Sequence, residues 1–298
     1  MKKYTLPVLR SPFASGNDGS GSRQRLRQRI PVERSHIMEN TERFRLSMLL
    51  QLARNDIKSR YSNSLLGIAW AFAMPLATIL VFWVVFQLGF KNLPVGDAPY
   101  ILWFASAYIP WIYFTDTLTS GCNCLVEYSY LVKKVKFNVA LIPAVKLVSA
   151  TFVHLFFIGF LCLIRVVYGF PFTIHAIQVL YYSLCAAVLG AGLIYLLSAF
   201  TVFFKDTLSI VNILVQIGFW VTPVMWNEET MLDQNIRQIL ALNPMHYVVS
   251  GYRSCFLGDS WFWENPGEGI YFWTFSLITL ILGVSIFRKL SPFFADEV

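Results

Sequence analysis

The residues that could do chemistry are few and scattered. The stretch from Gly16 to Arg23, GNDGSGSR, has the two-glycine spacing of a phosphate-binding loop. Such a loop needs a Lys to reach the phosphates, a Ser or Thr hydroxyl for magnesium, and a hydrophobic strand before it. Here Ser22 and Arg23 occupy the two positions and no strand precedes them, so the stretch reads as flexible tail and the chain carries no ATP site of its own. His36, His154, His175 and His246 lie far apart, and no Ser, His and Asp form a nucleophile elbow. Cys122 and Cys124 make a CxC pair that lacks two further ligands for zinc. Cys162 and Cys185 sit inside apolar runs, and no disulfide framework follows from the spacing. This inventory argues against a membrane transferase, a hydrolase or a metal centre.

Two other features remain. Asp116 and Lys146 are opposite charges in otherwise apolar sequence, where an ionisable residue is expensive and calls for a partner. They are expected either to neutralise each other where their helices meet, or to separate with Lys146 snorkelling to the headgroups. The second feature is an aromatic content of 16%. Trp83, Trp111, Tyr113, Phe114, Phe219 and Trp220 all lie in or beside apolar runs. Aromatic belts at two membrane interfaces account for many such rings. The alternative is a path lined with rings, on which the C–H faces of sugars stack while their hydroxyls slide.

The elements that must position these residues are long apolar helices. The chain has 298 residues, 56% hydrophobic and only 14% charged, against about 25% charged in a soluble domain. Apolar runs of 18 or more residues are what a bilayer core about 30 Å thick asks of a helix. Six spans are read, at about 65–90, 100–119, 141–168, 176–204, 210–226 and 270–287. Pro75 and Pro110 each remove one backbone hydrogen bond inside the first two. In the fourth, Ala186, Ala187, Gly190, Ala191 and Gly192 permit close helix approach. Between the spans, 121–138 is polar and basic. Residues 227–268 are too apolar for a plain loop and too interrupted for a span, and read as short re-entrant or interfacial helices.

Charge distribution then sets the sides. The net charge of +7 raises nucleic acid as a partner, but thirteen of the 24 Lys and Arg precede Tyr61. A basic flank beside a first span is a cytoplasmic topology signal. Residues 1–40 read as a basic, disordered cytoplasmic tail, and 41–298 as one transmembrane domain. In 44–61, Leu46, Leu49, Leu50, Ala53 and Ile57 form one face, with Arg45, Gln51, Arg54, Asn55, Asp56 and Lys58 on the other. That is an amphipathic helix suited to the membrane interface. The tail, 121–138, the break at Lys205 and the Arg288–Lys289 pair hold most of the basic residues, which places both termini in the cytoplasm.

Four segments in this order resemble permeases of the polysaccharide and polyol-phosphate branch of ATP-binding-cassette exporters. The first is DIKSRYSNSLLGIAWAFAMPL at 56–76, matching at Arg60, Tyr61, Ser64, Leu66, Gly67, Trp70, Pro75 and Leu76. The others are LVKKVKF at 131–137 with Pro143 following, FFKDTLSIVNILVQIGFWVTPVMW at 203–226 and NPMHYVVSGYR at 243–253. Asn138 departs from the pattern, where members often have Pro. The resemblance implies a permease in a bacterial cytoplasmic membrane that exports a lipid-linked O-antigen, capsule or teichoic-acid chain. Export of a lipid or drug is the alternative. It implies a homodimer with a separate cytoplasmic ATPase subunit that uses ATP and magnesium, with no cofactor on this chain. Glu127, Tyr128, Tyr130, Lys133, Lys134, Lys205 and Asp206 would meet the ATPase. Arg54, Lys58 and Arg60 would mark the interface helix, 227–268 would form an outer gate, and the rings named above would line the channel.

Overall fold

The computed structural model describes residues 46–60, 65, 67–89, 98–134, 137–258 and 260–298. The tail 1–40 and residues 90–97, between the first two expected spans, lie outside the described residues. Leu49–Val298 forms one compact unit; of Met1–Met48, only 46–48 are described, and they are helical.

Among the described residues every regular element is helical. Residues 46–60 form α1. α2 is Trp70–Phe82, preceded by a 3₁₀ turn at Gly67–Ala69 and continued by wider π-type turns at Trp83–Gly89. α3 is Tyr100–Cys122, α4 is Cys124–Glu127 and α5 is Ser129–Val132. α6 is Leu141–Val167, and α7 is Val179–Phe203 after a 3₁₀ turn at Ile174–Gln178. α8 is Thr207–Val221, and α9, α10 and α11 are Glu228–Met231, Gln234–Leu240 and Pro244–Leu257. α12 is Pro266–Leu290, and α13 is Phe294–Glu297.

Among the described residues four helices are long and apolar enough to cross a membrane: Gly67–Gln87, Leu141–Val167, Ile174–Phe203 and Pro266–Glu297. The other two expected spans differ from these for separate reasons. α3 has 23 residues and is mostly buried, including Ser106 and Thr117. It is the hub of the bundle, packed by α6, α7, α8 and α11, so its surface needs to match protein rather than lipid. α8 has only 15 residues. It stops at Val221 because Pro223 disfavours helical geometry in the residue before it; Thr222 is extended, with φ −76° and ψ 128°.

The tightest packing is between α7 and α12. A Cβ on Gly192 would stand 2.7 Å from the backbone nitrogen of Leu280, and one on Gly283 would meet the Gly192 carbonyl. Close approach of helix backbones is what small residues supply when lipid offers no hydrophobic drive for association. Of the expected small residues, Gly192 therefore meets α12, at a glycine that the sequence pattern does not single out, while Gly190 faces Thr117 of α3.

Two apolar cores result. The larger surrounds α3. The smaller joins Cys124, Leu125 and Val132 of α4 and α5 to Ile142, Ala199, Val202, Phe287 and Phe294. The short helices of 121–138 are thus anchored to the ends of α6, α7 and α12 rather than hanging as a loop.

Candidate functional site

The chemistry-bearing residues of this end of the bundle meet in one charged cluster. α1 supplies Asp56 and Arg60, α3 supplies Asp116, α4 supplies Glu127 with Tyr128 just after it, and α6 supplies Lys146. The Lys146 Nζ donates to Asp56 Oδ1 at 2.6 Å and to Glu127 Oε2 at 2.7 Å. The Tyr128 hydroxyl donates to the same Asp56 Oδ1 at 2.6 Å, and Lys146 lies 5.1 Å from the Tyr128 ring centre. Arg60 spans Asp56 Oδ2 at 3.4 Å and Asp116 Oδ1 at 2.8 Å. The Ser149 hydroxyl adds a bond to the Ala53 carbonyl, fastening α1 to α6.

This arrangement corrects two expectations. Asp116 and Lys146 do not pair: Arg60 takes Asp116, and Lys146 takes Asp56 and Glu127. Nor does Lys146 snorkel, since its side chain is 1% exposed. The reason is Asp56. Its side chain is 0% exposed, so it belongs to the packed face of α1, not to the polar face that periodicity assigns it. Asp56 follows Ala53 by three residues and precedes Arg60 by four, a spacing that stacks all three on one side of a helix. That spacing, together with a lone Lys in the third span, was the signal that could have found it.

Burial by itself would raise the Asp56 carboxyl. The Lys146 charge, the hydrogen bonds from Lys146 and Tyr128, and the Arg60 charge outweigh it and hold Asp56 below its ordinary 3.8. Burial and the bond to Asp56 push the Tyr128 hydroxyl the other way, upward, so it stays a donor. Three carboxylates face two cations, and of the five only Asp56 and Lys146 are fully buried. A buried ion pair contributes little net stability, but loss of one partner is costly because the other charge is stranded. The cluster therefore resists separation of α1, α3, α4 and α6 more than it stabilises the fold.

The remaining expected coupling residues lie on the outside. Tyr130 is 58% exposed, and Glu127, Lys133, Lys134, Lys205 and Asp206 are exposed as well. Arg54 and Lys58 of α1 are exposed, while Arg60 turns inward to the cluster. The rings divide. Trp111, Tyr113 and Phe114 are buried within the chain, Phe219 and Trp83 are partly buried, and Trp220 is 59% exposed on a face of α8 shared with Ile213, Leu214 and Ile217.

Deeper in the bundle, His154 is a packed residue. Its Nε2 lies 2.7 Å from the Tyr252 hydroxyl and 3.3 Å from Ser183 Oγ, and its ring stacks on Tyr113 at 4.3 Å. A cavity of about 480 Å³ runs from Arg60 and Asp116 past Met74 and Pro75 to Phe157.

At the opposite end, 222–226 is pinned by several bonds. Arg253 donates to the carbonyls of Pro223 and Val224 at 2.6 and 3.0 Å. The Tyr100 hydroxyl donates to the Met225 carbonyl, and Asn243 donates to Thr222 Oγ1. Asn243 also accepts from the Met245 amide and Pro244 follows it, a well-formed N-terminus for α11.

A helical bundle with four apolar helices long enough to cross a membrane among its described residues is the build of an integral membrane protein. Residues 48–257 match the family described as ABC-2 type transporter, and the chain belongs to that family. It is similar to the O-antigen export system permease protein RfbA of Myxococcus xanthus, 28% identical over 70% of this chain and 80% of that protein. A protein of the same name from Klebsiella pneumoniae is 24% identical over 84% of this chain and 94% of its own length.

Proposed function

We propose that the chain is the permease subunit of an exporter for a lipid-linked polysaccharide of the O-antigen kind. It works in the bacterial inner membrane as a homodimer and is driven by a separate ATPase. The observation that carries this reading is the similarity to O-antigen export permeases along as much as 84% of the chain. Capsule and teichoic-acid chains share the same chemistry of a long hydroxyl-rich polymer and are the neighbouring substrates.

Six crossings with both termini cytoplasmic would put the charged cluster at the inner face. There the exposed Tyr130, Lys133 and Lys134 would meet the ATPase, with Lys205 and Asp206 beside them. Movement of the ATPase would pull on α4 and α5. Because Glu127 and Tyr128 are bonded into the cluster, the pull would reach α1, α3 and α6 together. The apolar face of α8, with Trp220, Ile213 and Ile217 exposed, would meet the second copy along a polymer path. Trp220 and Trp83 are the rings best placed to line it, while Trp111, Tyr113 and Phe114 would support it from behind.

The test is reconstitution of the chain with its ATPase in vesicles holding lipid-linked polymer. ATP-dependent translocation is expected with both subunits and none with either alone. Translocation by this chain alone would refute the reading. A second reading, export of a lipid, draws on the mainly apolar cavity beneath Arg60 and Asp116. It predicts movement of a labelled phospholipid in the same vesicles without any polymer.

A further inference from the structure

We propose that the polar cavity at the end of the bundle away from the charged cluster is a binding site for one neutral sugar unit of the exported chain. The proposal rests on the polysaccharide-export reading above. The cavity is about 370 Å³, within the range of about 300–1,000 Å³ usual for small-molecule sites. It lies between α3, α7, α11 and the segment before α12, and Lys146 and Arg165 mark the two ends of α6, roughly 30 Å apart at 1.5 Å per residue.

Its lining combines rings with paired donors and acceptors. Trp261 supplies a flat wall that is held in place before any ligand arrives. It stacks on Trp263 at 4.5 Å and 11°, and His175 packs 4.7 Å from it. The Trp261 amide donates to Glu264, and the Phe262 amide donates to Gln178 Oε1 at 2.8 Å. Gln178 in turn donates to the Ser260 carbonyl. Such preorganisation lowers the cost of binding. Ser250, Asn265 and Glu268 bring hydroxyl, amide and carboxylate groups to the same cavity, a mixture that suits neighbouring hydroxyls, each both donor and acceptor. Asn265 and Glu268 are exposed, so the mouth opens there.

The charges argue for a neutral ligand. Glu228 and Glu268 line the cavity with Arg253 and His246. The Arg253 guanidinium is engaged by the Pro223 and Val224 carbonyls and lies 3.7 Å from the Trp103 ring centre. His246 Nε2 lies 2.8 and 2.9 Å from the two Glu228 oxygens. A phosphate would therefore meet carboxylates and a cation already committed elsewhere, whereas a sugar ring would meet a stacking wall and hydrogen-bonding groups.

The experiment places p-benzoylphenylalanine at Asn265 in producing cells, using the cell's own exported chain as the probe. Trp220 and the lipid-facing Ile281 are comparison positions. After illumination, a glycan ladder on the permease is expected from position 265 and not from 281. Adding Trp261→Ala should weaken the ladder about tenfold, equal to ~1.4 kcal/mol of lost stacking. Since that change also removes a ring packed on Trp263 and His175, the exposed Glu268→Gln serves as a second variant expected to weaken the ladder at unchanged permease level. No ladder from 265 in a strain whose export depends on this chain overturns the site, and so does a ladder of equal strength from 281. A ladder from Trp220 alone overturns the site and leaves polymer export standing. Export that continues when the chain is deleted overturns the export reading itself.

Discussion

Replacing Lys146 by Met is the sharpest probe of the charged cluster. The substitution keeps the length and apolar stem of the side chain but removes the ammonium that bonds Asp56 and Glu127 at 2.6 and 2.7 Å. Glu127 is 44% exposed and can turn to water; Asp56 is 0% exposed and cannot. Stranding a buried charge costs about 3–5 kcal/mol. Tyr128 and Arg60 still reach Asp56, so the low end applies, about 3 kcal/mol. Asp56→Asn in the same background removes the stranded charge, and the double variant should be more stable than the sum of the two single losses by about 2 kcal/mol. Denaturant unfolding of the permease in mixed micelles measures all four corners of the cycle. In the exporter proposed above, Lys146→Met should also lower polymer export per ATP hydrolysed, because α6 loses its bond to Glu127 in the segment proposed to meet the ATPase. Strictly additive losses, or a Lys146→Met loss under about 0.5 kcal/mol, would show that the pair carries no coupling.

Other outcomes follow from the same geometry. Asp116→Asn should cost under about 1 kcal/mol, since Asp116 is 39% exposed and its pair with Arg60 is screened by water; the same unfolding assay reads it. Asp56 titrates below 3.8 in the folded protein, so its contribution is complete above that value and is lost as pH falls through the lower native one. The thermal midpoint of the wild type should therefore drop steeply below pH 3.8 and that of Asp56→Asn more gently, as followed by fluorescence across acid buffers. Gly192→Ala drives a methyl to 2.7 Å from the Leu280 backbone nitrogen, and overpacking of this kind costs about 1–3 kcal/mol; a matching loss of thermal stability is expected, with Ala191→Gly as the mild control. Thr222→Ala removes the acceptor of the Asn243 amide and should loosen 222–226, visible as faster hydrogen exchange there with α11 unchanged.

The apolar runs, the basic flank and the interrupted 227–268 segment were legible in the chain because hydropathy and helical period are local properties. The end of the fifth span was not read: the apolar run carries on to 226, whereas Pro223 stops α8 at Val221. The small-residue face of α7 was also readable, because close helix approach needs missing side chains wherever the partner lies. What could not be read was which elements meet. Asp56 and Lys146 stand 90 positions apart, and each alone looks like a surface charge or a snorkelling one. Asp116 and Lys146 share a depth and have opposite signs, yet α1 slides between them in charge terms and takes both. Likewise, rings of equal apolarity end up inside the chain, as Trp111 does, or on its surface, as Trp220 does. The membrane-spanning composition was determined by the sequence alone. Which charge neutralises which, and which rings are buried or exposed, were decided only when the helices packed, because pairing in a low-dielectric interior depends on distances that no local pattern encodes.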